Sequence, residues 1–443
     1  MTLLLDRLEA TRAALYGMTP RPPQGRVTRL SGPVIRAVFS HAIIGEICEI
    51  HRTAGQPAII GRVVGLDDNE VIISPFGACT GLAVGAPVRS YGRELTVAVG
   101  HQLLGRTLDG MGNPIDGLDP LPPGMMRRPV TCDAPPPMTR PLIERPMITG
   151  MKAIDFATTL GRGQRVGIFG SAGTGKSSTL SAIAQHCEAD IIVIAMIGER
   201  GREVREFLER SLPAEKRRNT VVVAATSDRS PMERLNGAHV ATAIAESFRD
   251  EGKSVLLMMD SLTRVARALR EIGLAAGEAP TRRGYPASVY PALPELIERA
   301  GRNVHGDITG LFTVLVEGDD ANDPIGEEVR SLTDGHIILD PKIAAEGRYP
   351  AINVARSLSR IMGDVTDDTH REMMIEVRRL IAIYERIEIL VQIGEYEPGQ
   401  DKDNDRAVAL VPKINEAFKQ KIEEKFALED TFALFKKILS DAK

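Results

Sequence analysis

The chain has 443 residues, 43% hydrophobic and 26% charged, with a formal net charge of −4. That composition is ordinary for a soluble chain long enough for about two to four folding units, and it excludes a general nucleic-acid or anionic-membrane surface. Cys48, Cys79, Cys132 and Cys187 are scattered without a C-x-x-C pair, which excludes a zinc site or a disulfide scaffold by spacing, and no apolar run approaches the ~20 residues that span a bilayer.

Residues 1–16 read as a short helix with Leu4, Leu8 and Leu15 near one face and Leu5 beside them. It either caps its own domain or docks a partner. Asp6, Arg7 and Glu9 interrupt its apolar stretch, unlike the core of a signal peptide, so the chain is expected to stay inside the cell. Pro20, Pro22 and Pro23 end this segment, taken as residues 1–24.

Residues 25–95 read as all-β. Runs such as Val34–Phe39 and Val71–Ile73 alternate with turns such as Asp67-Asp68-Asn69, and a small barrel is expected. A nucleotide-handling unit is placed at 96–365. Within it, residues 120–146 hold nine prolines, which rule out a helix or a central strand. That stretch is either a connection wrapped across a surface or a linker. From about 150 to 345, apolar strands (Val166–Phe169, Ile191–Ile197, Val221–Ala225, Val255–Met259, Gly310–Val316, Ile337–Leu339) alternate with helical stretches. That rhythm predicts an α/β fold with a mostly parallel sheet and ligands at the carboxyl ends of its strands. Residues 366–443 read as a helical domain, with Met374, Val377, Leu380, Ile381 and Tyr384 at helical period. Glu423, Glu424 and Lys425 read as a solvated helix face.

The octet Gly170-Ser171-Ala172-Gly173-Thr174-Gly175-Lys176-Ser177 follows the strand Val166–Phe169 and fits the phosphate-loop pattern, with Ser178 next in the chain. Backbone N–H groups of such a loop, and the helix start behind it, face anionic oxygens. Gly170, Gly173 and Gly175 let the backbone curl closely. Lys176 would neutralise phosphate charge and Ser177 would face Mg²⁺, so the pattern points to a nucleoside triphosphate. Five apolar residues ending in Asp260 supply a strand-end carboxylate for Mg²⁺, against the alternative of a helix cap. Glu199 is the first acid after Ile191–Ile197. It reads equally as a water-activating base or as part of a solvated helix start with Glu203 and Glu206. No spacing argument locates an arginine finger.

The octet, GERGREV (198–204) and LLMMDSLTR (256–264) are followed by ALREIGLAAGE (268–278), RRGYPASVY (282–290), VLVEGDDANDP (314–324), EVRSLTDGHIIL (328–339), GRYPAINV (347–354) and SLSRIM (357–362). Over about residues 25 to 430 this set resembles the type III secretion ATPases of bacterial flagella and injectisomes, which are similar to the catalytic subunits of rotary ATP synthases. The resemblance implies an N-terminal β-barrel, a RecA-like P-loop domain and a C-terminal helical domain, assembled as a homohexameric ring with ATP sites between neighbours. It makes Glu199 the catalytic glutamate, with Lys176, Ser177 and Asp260 serving phosphate and Mg²⁺. It puts Arg200 and Arg264 near the γ-phosphate, Tyr349 on the adenine, and Arg360 as a finger into the next subunit's site. Implied partners are a stator protein at the N-terminal segment, a coiled-coil stalk in the pore, chaperones with exported proteins, and the export gate at the inner membrane. The implied location is cytoplasmic, at the base of the apparatus.

Two departures stand out. The loop reads SAGTGKSS where many relatives have Val or Cys before the last Gly, and Asp340 stands at an expected surface turn where Ser is usual. ARALREIGLAAGE and EVRSLTDGH are more like injectisome members, while GLDPLPPG is nearer some flagellar chains. Three further classes share parts of the pattern: a rotary synthase subunit, a hexameric RNA helicase, and a scaffold that binds ATP without turnover. The continuation after Gly198-Glu199-Arg200 argues against the first. Phe39, Phe76 and Tyr91, the only aromatics in 25–95, offer an RNA-binding barrel little to stack on.

Overall fold

A computed structural model describes residues 24–52, 56–316 and 323–440. The helix expected over 1–16, with its docking role, lies outside them. The chain divides into two units, one ending at Leu95 and the other starting at Thr96.

In the first unit six strands close into a barrel: β1 (Gln24–Ser31), β2 (Val34–Val38), β3 (Glu46–Ile50), β4 (Ile59–Asp67), β5 (Glu70–Pro75) and β6 (Pro87–Glu94), in the order β1-β2-β5-β4-β3-β6. Strand alternation builds it. In β4, Ile59, Gly61 and Val63 are buried while Ile60, Arg62 and Val64 are partly exposed. Val27, Ile35, Ile50, Ile73 and Val88 complete the interior. Asp68 turns β4 into β5 with φ of 49°.

The second unit is built on a nine-stranded sheet. Its labelled strands are β7 (Thr107–Leu108), β8 (Arg165–Gly170), β9 (Ile191–Ile197), β10 (Thr220–Ala225), β11 (Ser254–Asp260), β12 (Asp307–Leu315), β13 (Gly335–Ile338) and β14 (Leu358–Ser359). They lie in the order β14-β13-β8-β12-β11-β9-β10-β7, with Gly301–Arg302 beside β12. All pair in parallel except β14 and Gly301–Arg302. The six predicted strands are β8 to β13. Their apolar runs are continuous because both sheet faces are covered. Ile192, Ile194 and Met196 join a core shared with α1 (Lys176–His186). On the other face the long helix α3 (Pro231–Asp250) packs across β9, β10 and β11. Two further helices complete the labels used below: α2 (Gly201–Glu206), and α4 (Leu262–Ala276), which follows β11.

The proline-rich stretch lies on this unit's surface. Arg127–Pro129 pairs with Thr96–Ala98, Arg128 reaches Asp250 at 2.7 Å, and Arg140 donates to Glu298 O at 2.8 Å. Arg299 donates to Val130 O at 2.8 Å from within the unit.

Three helices, α5 (Asp368–Gln392), α6 (Lys402–Phe418) and α7 (Leu428–Ser440), form the C-terminal bundle. Asp367 and Asp401 cap α5 and α6 through their carboxylates. The bundle is fastened to the sheet layer by Phe156, which stacks on Phe435 at 4.1 Å and whose carbonyl bonds His370 at 2.6 Å. Two readings need correction. Glu423, Glu424 and Lys425 are not on a helix, because the chain leaves helical geometry after Phe418 and buries Gln420 against residues 150–152. Asp340 is not a surface turn. It is 9% exposed, accepts from Lys342 N as a helix cap and from Asn353 Nδ2, both at 2.9 Å.

Candidate active site

Strand β8 runs into the loop 170–175 and then α1, placing the octet at the carboxyl end of the sheet. Gly173 and Gly175 both have φ of 83°, a region L side chains avoid. Thr174 Oγ1 donates to Ser171 O at 2.8 Å, and Lys176 Nζ donates across the loop to Gly170 O at 3.0 Å. Ala172 and Gly173 are exposed at the loop's crown, as are Ser177 and Ser178 on the first turn of α1. Their N–H and hydroxyl groups are open to an anion.

Tyr349 lies 174 residues beyond Gly175 in the chain but beside it in space. A Cβ on Gly175 would be 3.4 Å from the Tyr349 ring, which is 45% exposed. The ring flanks the phosphate loop and is partly open to solvent.

Asp260 ends β11 between β9 and β12. It is 8% exposed, and Thr313 Oγ1 of β12 donates to its Oδ1 at 2.6 Å. Burial pushes this carboxyl up, while Thr313, then Lys176 and Arg264, oppose the rise. Burial likewise pushes Lys176 down against the pull of Asp260 and Glu199. Glu199 follows β9. Its backbone is held by Ser227 N donating to its carbonyl at 3.0 Å and by Gly198 N donating to Ala225 O at 2.7 Å. Burial, then Asp260 and Glu203, push the Glu199 carboxyl up to about 7, and Arg264 opposes them. Arg264 Nε on α4 is 4.0 Å from Glu199 Oε1.

The fold thus brings together Lys176, Ser177, Glu199, Asp260 and Arg264, with Tyr349 at the loop. A cavity of about 290 Å³ opens beside Ser177, Glu199 and Asp260 and continues between Leu180, Phe207 and Ile422. Arg200 does not converge with them: its side chain is 79% exposed and pairs with Glu203 at 3.3 Å. Nor does Arg360. Its N–H bonds Asp334 O, and Asp334 N bonds Arg165 O, so it lies level with the start of β8. The phosphate loop begins at the other end of that strand, about 16 Å away at the usual rise per residue. Burial, then Arg330 and Arg360, hold His336 below the usual imidazole range.

Sequence reasoning missed Thr313 and Gln420. A lone hydroxyl inside the apolar run Leu311–Leu315 was the signal for the first. The second carried none.

A phosphate loop, a buried strand-end aspartate and a perturbed strand-end glutamate on one parallel sheet define a P-loop nucleotide hydrolase. The comparisons agree. The nucleotide-binding domain of the ATP synthase alpha/beta family matches residues 150–359, that family's beta-barrel domain matches 27–92, and the T3SS EscN ATPase C-terminal domain matches 366–437. A "Type 3 secretion system ATPase" of Sinorhizobium fredii is 47% identical over 95% of this chain and 93% of its own. A "Flagellum-specific ATP synthase" of Bacillus subtilis is 43% identical over 92% of this chain and 93% of its own. The assembled ATPase EscN of enteropathogenic E. coli superposes with a TM-score of 0.89 at 42% identity, over 94% of this chain and all of that one. EscN in complex with its central stalk EscO gives 0.85 at 41% identity, again over 94% and all. The chain belongs to the type 3 secretion system ATPases, and its activity is ATP hydrolysis.

Proposed function

We propose that this ATPase works as a homohexameric ring at the base of an injectisome-type secretion apparatus, with each site completed by Arg360 of a neighbour. The observation that carries the ring is the position of Arg360. The finger expected from the resemblance lies at the far end of the sheet from its own phosphate loop. Lys176 and Arg264 stand in the site, but without Arg360 it lacks a finger's added charge at the transition state, and such an arginine is worth about 10³–10⁵ in rate in other nucleotide hydrolases.

In this reading the loop N–H groups and Lys176 hold the β- and γ-phosphates, and Tyr349 stacks on the adenine. Ser177 and Asp260 form a hard-oxygen donor pair, one hydroxyl and one buried carboxylate, which suits Mg²⁺. Bound Mg²⁺ would offset phosphate charge. Glu199 takes a proton from the attacking water, Arg264 steadies that carboxylate, and Arg200 stands at the site mouth facing a neighbour. The ring engages chaperone–substrate complexes and promotes their release, unfolding and passage to an export gate at the inner membrane. Residues 1–24 meet a stator, and the pore takes a coiled-coil stalk, as the EscN–EscO complex suggests for a relative. The ring stays on the cytoplasmic side and takes no nucleic acid. The segments 266–278 and 328–336 favour an injectisome over a flagellar system.

The test is steady-state ATPase rate against protein concentration for wild type and Arg360→Ala. Specific activity should rise with concentration and collapse in the variant with ATP binding retained. Activity independent of both would mean a self-contained site and no finger in trans.

A further inference from the structure

The link between α6 and α7 opens with Lys419-Gln420-Lys421-Ile422-Glu423-Glu424-Lys425, a mostly polar run, yet Gln420 is 7% exposed. Its Oε1 accepts from Lys152 N at 2.9 Å. Its Nε2 donates to Gly150 O and to Glu424 O, both at 2.7 Å. Its backbone N–H donates to Tyr349 O at 3.0 Å. One residue therefore joins the segment leading into the sheet, the C-terminal bundle, and the residue whose ring flanks the phosphate loop. The contact is reinforced on either side. Arg348 donates to Asn415 Oδ1 of α6, and His186 Nε2 meets Ile422 O at 2.7 Å.

We infer that Gln420 is a positioning residue of the nucleotide site, clamping the link against Gly150 and Lys152 so that its N–H holds Tyr349 and keeps the ring at Gly175. The inference rests on the base-stacking role proposed for Tyr349. Removing the amide leaves Lys152 N, Gly150 O and Glu424 O without their buried partner, and the link has to shift to satisfy them. Tyr349 O then loses its fixed donor. The phosphate loop is held separately, by β8, α1 and the Lys176–Gly170 bond. The effect therefore falls on the base and spares the phosphates.

Calorimetric binding of MgADP and of magnesium pyrophosphate to the full-length protein separates the two. Gln420→Met should weaken MgADP about tenfold, the loss of roughly one net hydrogen bond, with pyrophosphate unchanged. Gln420→Glu keeps the acceptor for Lys152 N and should fall between, and it carries the comparison if Gln420→Met does not fold. Equal weakening of both ligands would make Gln420 a general structural residue and overturn the inference. Tyr349→Ala sets the scale. If it weakens MgADP and the Gln420 variants do not, Gln420 is excluded while stacking stands. If Tyr349→Ala leaves MgADP unchanged, stacking itself fails and the inference with it.

Discussion

Thr313 Oγ1 donates to Asp260 Oδ1 across 2.6 Å from the neighbouring strand β12, fixing the orientation of a buried carboxylate at the phosphate loop's flank. The bond favours the ionised form of a group that burial pushes the other way.

Thr313→Val removes that bond at constant shape, so the Asp260 carboxyl should rise further and its orientation loosen. The Mg²⁺ concentration for half-maximal ATPase activity should increase roughly tenfold, as for other groups that orient metal-binding side chains. An unchanged Mg²⁺ requirement would reduce Thr313 to a space-filling role.

Glu199, pushed up to about 7 by burial and its acidic neighbours, can fill the base role proposed for it only when ionised. Turnover of wild type should climb as pH rises through about 7. Glu199→Gln should lower kcat by about 10²–10⁴, flatten that limb and leave nucleotide binding in place. A variant that keeps wild-type turnover would mark the chain as a nucleotide-gated scaffold whose hydrolysis does not use this residue.

The proposed trans arrangement predicts complementation. Arg360→Ala and Glu199→Gln are each expected to be nearly inactive alone. Mixed, they create interfaces where an intact Arg360 from one subunit meets an intact Glu199 of the next. Partial recovery of ATPase activity on mixing checks this, and two dead proteins that stay dead when mixed would count against it.

Arg299 and Glu246 are each 1% exposed at their side chains and joined by bonds of 2.9 and 2.8 Å. Arg299→Leu takes both hydrogen bonds from the Glu246 carboxylate, leaving it only Arg128 Nε at 3.3 Å, and also frees Val130 O of the proline-rich stretch. The expected loss is about 3–5 kcal/mol, read from urea unfolding of the full chain. Adding Glu246→Leu should recover part of it, because the buried, under-bonded charge is gone. A single variant as stable as wild type would mean that water reaches the pair.

Much of this molecule was legible locally. The runs Val166–Phe169, Ile191–Ile197 and Val255–Met259 are continuous stretches that only a doubly covered sheet needs, and the octet's glycines announce a turn that other residues resist. Asp260 and Glu199 were legible as strand-end acids because strand ends in such sheets converge. Asp340 and Glu423–Lys425 misled for one reason: polarity alone does not distinguish a solvated turn from a helix cap or from a link pinned by a buried amide.

The sequence by itself determined which segments became strands and where the phosphate loop begins, since both depend on neighbours a few residues apart. Only the tertiary structure decided that Tyr349 flanks Gly175, that Thr313 holds Asp260, that Gln420 reaches Gly150, and that Arg360 lies beyond its own site. Those relations join residues dozens to hundreds of positions apart, and they arise from the order of strands in the sheet and the docking of the helical bundle, which no local pattern encodes.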